Sequence, residues 1–141
     1  MLCKEIIQVI EAAFPRGAAL DFDNVGLLAD RTAKEAHRIY LAVDATGHVI
    51  ECAEKAGADM LITHHPLIFS PIKRVTDEDF IGRRIVRLIR NDISYYAMHT
   101  NYDVLGMAEL SGHIVDIGNA RVLDVTAAEN GEEQGMGRIG N

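Results

Sequence analysis

The sequence has no tryptophan, two cysteines and three prolines in 141 residues, and no apolar run approaching the roughly 20 residues that span a bilayer. Each scarcity excludes something. Cys3 and Cys52 stand in separate amphipathic segments without CxxC spacing, which sets aside a disulfide framework, a zinc knuckle and thiol redox chemistry and leaves two buried thiols as the expectation. The lack of a long apolar run, with an N-terminus unlike a signal peptide, places the chain in the cytoplasm with no membrane partner expected. Basic residues are also short: 14 Lys and Arg against 21 Asp and Glu give a net charge of −7, the wrong sign for gripping a nucleic-acid backbone. The one basic cluster, Arg83, Arg84, Arg87 and Arg90, lies toward the C-terminal end of a predicted helix and reads as a solvated face.

What remains is the make-up of a globular protein, with 48% hydrophobic residues, enough for one core without disulfides. Leu2 to Phe14 carries an apolar stripe at helical spacing that Pro15 and Gly17 stop. Asp21 to Asn24 is a turn cluster feeding a short strand through Val25 to Leu28. Arg38 to Val43 is nearly all apolar beyond its first residue, the pattern of a strand covered on both faces. Thr46 then caps a helix that Gly57 ends, and Met60 to Thr63 is the next strand. A helix from Phe80 and a strand over Ile93 to Met98 repeat the sequence of elements, followed by a helix over Met107 to Val115 and a strand over Ala120 to Thr126. Such alternation favours an α/β fold of three layers, α/β/α, around a mixed, mainly parallel sheet, with functional groups where the strands end. The division expected is an α/β domain over 1–126 and a glycine-rich segment over 127–141.

Three strand ends carry polar residues: Asp44, then His64 and His65, then His99 with Asp103. Adjacent histidines in an extended segment point in different directions, so His64 and His65 suit two neighbouring ions better than one, with Asp103 supplying a hard oxygen. A polar loop surface is the competing reading of the same pair. His99 is read as a group that orients a ligand or a water, the one catalytic candidate. Asp44 is read as a turn residue or a lining group, Asp23 and Asn24 as a turn or part of the same cleft. His37, His48 and His113 are given no chemistry.

Three blocks are more specific: Asp23-Asn24-Val25-Gly26-Leu27, Gly57-Ala58-Asp59-Met60-Leu61-Ile62-Thr63-His64-His65-Pro66-Leu67-Ile68-Phe69, and His99-Thr100-Asn101-Tyr102-Asp103. In this order they resemble the Nif-three-like family, often labelled GTP cyclohydrolase 1 type 2. The resemblance implies a dinuclear centre in which His64, His65 and Asp103 are metal ligands for two divalent ions, with Fe, Mn, Zn, Co and Mg not distinguished. It also implies a protein of two similar α/β halves that assembles as a homo-oligomer, a hexameric ring. The remaining family ligands, a histidine and a glutamate, belong to the C-terminal half, so residues 127–141 read as a lead toward a half not present here. The function implied is metal-dependent hydrolysis of a nucleotide or phosphorylated small molecule when full length. The alternative is a metal-binding or interaction protein without turnover.

Overall fold

The computed structural model describes residues 1–141, apart from the side chain of Glu129. Helix α1 spans Cys3–Ala13, with the Glu5 carboxylate accepting from the Leu2 amide, and a single 3-10 turn follows at Arg16–Ala18. Strand β1 is Gly26–Ala29 and β2 is Ile39–Ala42. Helix α2 is Gly47–Lys55; Thr46 Oγ1 accepts from the Val49 amide at 3.1 Å, and Gly57, at φ 65°, turns the chain out of the helix. Strand β3, Met60–Thr63, helix α3, Phe80–Arg90, and strand β4, Ser94–Ala97, complete the repeated unit.

The sheet order is β1-β4-β3-β2. β2, β3 and β4 are parallel, and β1 joins β4 antiparallel, so the sheet is mixed as expected. Every residue of β3 and β4 is buried, because helices cover both faces. Leu61, Tyr95 and Ala97 pack with Ile50, Ala53, Ile85 and Leu88 of α2 and α3. Met60, Ile62 and Tyr96 point the other way, onto Cys3 and Ile6 of α1. The period of two along each strand thus builds the three layers.

Several expectations change. β2 is an edge strand, not a strand covered on both faces: Leu41 is 71% and Val43 60% exposed. Cys3 is buried but Cys52 is only partly so, with its Sγ 3.7 Å from His48 Nε2. The helix after β4 begins earlier than Met107: a short helix α4, Thr100–Tyr102, passes into a π turn at Asp103–Met107 and then into α5, Ala108–Ile114. The strand expected over Ala120 to Thr126 is longer, β5 at Arg121–Glu129, and the glycine-rich stretch after it is a strand, β6 at Glu132–Ile139. The two form a separate antiparallel ribbon turned by Asn130 and Gly131, both at positive φ. Among the described residues no helix is long and apolar enough to cross a membrane.

Candidate metal centre

The parallel strands end side by side, and their last residues feed one hollow. β3 passes into His64 and His65, and β4 passes through Met98 into His99. The chain leaves the extended conformation at His64, so the two adjacent rings do not diverge as an extended pair would. Their centroids lie 4.9 Å apart, and His99 stands 5.2 Å from His64 and 5.7 Å from His65. One ring nitrogen from each of the three lies within 4.8 Å of the others, close enough to hold a metal ion. Asp103, one helical turn beyond His99 on the π turn, brings Oδ1 to 3.4 Å from His64 Nε2. The structure therefore gathers His64, His65, His99 and Asp103 in one place, with His99 inside the cluster.

A carboxylate holds the inner nitrogen of two of these rings. Asp44 Oδ1 accepts from His65 Nδ1 at 2.7 Å, and Asp23 Oδ1 accepts from His99 Nδ1 at 2.9 Å. Each contact fixes a tautomer and leaves Nε2 as the free lone pair, the arrangement by which carboxylates orient metal-binding imidazoles. Asp23 is itself tightly held: its side chain is fully buried and also accepts from the Thr100 amide at 2.9 Å, the Thr100 hydroxyl at 2.5 Å and the Asn24 amide at 2.8 Å. Burial pushes its carboxyl up, but the hydrogen bonds from Thr100, His99 and Asn24 outweigh that and hold it below the ordinary value. Asn24 adds a tie to the loop carrying the histidine pair, donating to Ile68 O at 2.6 Å.

Tyr95 fixes that loop from beneath. Its hydroxyl accepts from the Leu67 amide at 2.8 Å, meets Thr63 Oγ1 at 2.7 Å and lies 3.1 Å from His65 O, to which Thr63 Oγ1 also donates. Burial pushes the phenol up, so it stays protonated and able to donate. Nothing in the local sequence marked Tyr95 for this part, since its pattern is that of a core aromatic.

His64 sits deepest. Burial holds it below its ordinary pKa; the Asp103 carboxylate opposes that shift, and His65 and His99 reinforce it. Its Nδ1 is buried without a hydrogen-bond partner among the described residues, an arrangement that a bound cation would relieve. An apolar groove of about 300 Å³, lined by Leu41, Ile62, Met98, Tyr102 and Met107, opens against it. On the other side Phe22 and Phe69, 63% and 48% exposed, lie 6.2 Å apart, with Phe69 edge-on to His99 at 6.4 Å. A larger hollow of about 670 Å³ between the end of α1 and the β5–β6 ribbon gathers no ligand cluster, so chemistry and not size assigns the site. His37 and His113 are exposed and His48 faces Cys52, apart from the centre.

The profile of the Duf34/NIF3 (NGG1p interacting factor 3) family matches residues 1–141. A Clostridium perfringens protein named GTP cyclohydrolase 1 type 2 homolog is 36% identical over 141 residues, which cover 99% of this chain and 53% of that protein. Among solved structures, the Bacillus cereus protein related to NIF3 superposes with a TM-score of 0.86 at 36% identity, covering 92% of this chain and 36% of that one. Reduced HcgD from Methanocaldococcus jannaschii gives 0.81 at 37% identity, covering 88% and 50%. The chain spans about half the length of the curated relatives it matches.

Proposed function

The chain belongs to the Duf34/NIF3 family, and from that premise we propose that it is a metal-binding protein in which His64, His65 and Asp103 ligate a pair of divalent ions. We propose further that its chemistry, in the full-length protein, is hydrolysis of a nucleotide-like or phosphorylated small molecule. The observation that carries this reading is the convergence of three imidazoles within 4.8 Å, one of them with a buried, unpartnered nitrogen. Divalent ions bound there would supply a hydroxide near neutral pH and stabilise charge on the attacked group.

The chain's own residues prepare that chemistry. Burial keeps His64 neutral near pH 7, as a ligand must be. Asp44 and Asp23 aim His65 and His99 by their Nδ1 atoms, so neither ring has to reorganise. His99 stands where it can complete a ligand set or hold a water beside the centre. Phe22 and Phe69 offer an apolar wall for the non-reacting part of a substrate. The relatives' name, GTP cyclohydrolase 1 type 2 homolog, supports a nucleotide as the first substrate to try.

A second reading, metal binding without turnover, is favoured by the openness of one side of the site: the side chains of His65 and Asp44 are 50% and 55% exposed. Metal analysis of the purified protein and of His64→Ala, His65→Ala and Asp103→Ala separates both readings from a site-free module, because each variant should lose metal. Unchanged stoichiometry in all three would sink the site. A turnover screen with GTP and simple phosphoesters in the presence of Mn, Fe, Co or Zn then divides enzyme from binder. Metal retained with no metal-dependent product selects the binder.

A further inference from the structure

The free edge of the sheet is apolar where an edge strand of a lone protein normally carries charge, a bulge or proline. Ile39, Leu41 and Val43 alternate along β2 and are 42%, 71% and 60% exposed. They lie on the sheet face that Met60 and Ile62 share with α1, since Ile39 pairs with Met60 and Leu41 with Ile62. The backbone is free as well. Arg38 O accepts from the Met60 amide and Ala42 O from the His64 amide. In a parallel ladder this directs the amides and carbonyls of Arg38, Tyr40 and Ala42 at β3, and those of Ile39 and Leu41 outward. Among the described residues no strand pairs with that outer edge.

The chemistry of Arg38-Ile39-Tyr40-Leu41-Ala42-Val43-Asp44 is symmetric about Leu41 in size and complementary in charge. We propose that this edge docks a second copy of the chain, antiparallel about a two-fold axis at Leu41, so that the two sheets become one. In that register Leu41 faces its own counterpart, Ile39 faces Val43 of the second copy, and Tyr40 faces Ala42. Arg38 faces Asp44, twice over by symmetry. Leu41 is the right residue for the axis, because its outward amide and carbonyl exchange both hydrogen bonds with the same residue across it. The charges select the direction: a parallel pairing would set Arg38 against Arg38 and Asp44 against Asp44, which is destabilising. The apolar side chains of both copies would form one stripe, continuous with the groove of Leu41, Ile62, Met98 and Met107 that opens on His64. The second copy would thereby wall the open side of the histidine cluster.

Sedimentation equilibrium of the metal-free 141-residue chain tests this. The expected result is a monomer–dimer equilibrium that Leu41→Lys weakens roughly tenfold or more, because it sets two ammonium groups together at the axis. Leu41 is too exposed for the isolated fold to need it, and an unchanged circular dichroism spectrum verifies that. Arg38→Asp should weaken the dimer several-fold, and Arg38→Asp combined with Asp44→Arg should restore it. A chain that stays monomeric up to millimolar concentration overturns the proposal. So does a dimer indifferent to Leu41→Lys, which would put a different interface in use and leave this edge to another occupant.

Discussion

Tyr95 and Asp23 act on the metal centre without belonging to its histidines, and each can be tested alone. Tyr95→Phe leaves the packing intact but removes the hydroxyl that accepts from the Leu67 amide and supports His65 O. The orphaned buried amide should cost about 1–3 kcal/mol, read as a lower urea midpoint. Because the loop then holds its histidines less firmly, affinity for added zinc should fall by roughly 10-fold or more. A variant that is less stable yet binds metal normally would show Tyr95 to be a core residue only. Asp23→Ala should be worse on both counts, since it leaves the Thr100 hydroxyl and amide and His99 Nδ1 without their acceptor. The pH dependence of the metal-free protein follows from two depressed pKa values. The Asp23 contribution is complete above the ordinary carboxylate value of 3.8 and is lost as pH falls through its lower folded value. His64 also titrates below its ordinary 6.5 in the folded state, so the unfolded chain takes up that proton first. Stability should therefore decline as pH drops below 6.5, and His64→Gln should flatten that part of a urea-midpoint profile. Of these residues the sequence made His64, His65, Asp103 and His99 visible, because strand ends in an alternating pattern are where ligands belong. The roles of Asp23 and Tyr95 were hidden, because each partner lies far along the chain: 76 residues separate Asp23 from His99.

Elements that end on local chemistry were legible, and those defined by their neighbours were not. α2 starts at the Thr46 hydroxyl and stops at Gly57, both readable in place. β2 looked like a buried strand because its run from Ile39 to Val43 is apolar on both faces; only the strand order makes it an edge. The β5–β6 ribbon was obscured by its glycines, although Asn130-Gly131 is a strong two-residue hairpin signal. Gly82, near the start of α3, carries a constraint that no sequence pattern announces. A Cβ there would stand 2.0 Å from Thr76 O, where the loop before the helix crosses it. Alanine should gain about 1 kcal/mol in helix propensity, but pushing the loop away should cost about 1–3 kcal/mol. A net loss is expected for Gly82→Ala, measured by denaturant titration. A more stable Gly82→Ala would show the loop to be free to move aside.

The molecule as a whole joins two parts of unequal cover. The four-stranded sheet is sealed by α1 on one face and by α2 and α3 on the other, while β5 and β6 form a two-stranded ribbon with Leu123, Val125 and Ile139 largely exposed. Two strands alone are marginal in water, so the ribbon depends on its contact with α5 and the π turn. The hollow of about 400 Å³ between them, lined by Met107, Val115 and Met136 among others, shows that this contact is loose. Hydrogen exchange should accordingly release the amides of β5 and β6 by local opening, well before those of β3 and β4, which require the global transition. Metal discriminates further, because a ligand that binds only the folded site stabilises what must open to release it. Added zinc should slow exchange in the Thr63–Leu67 loop and the π turn, where the proposed ligands sit, and leave β5 and β6 unchanged. If the ribbon slows equally, then Asp103, which lies both at the histidines and along the hollow beneath β6, couples the two parts into one cooperative unit.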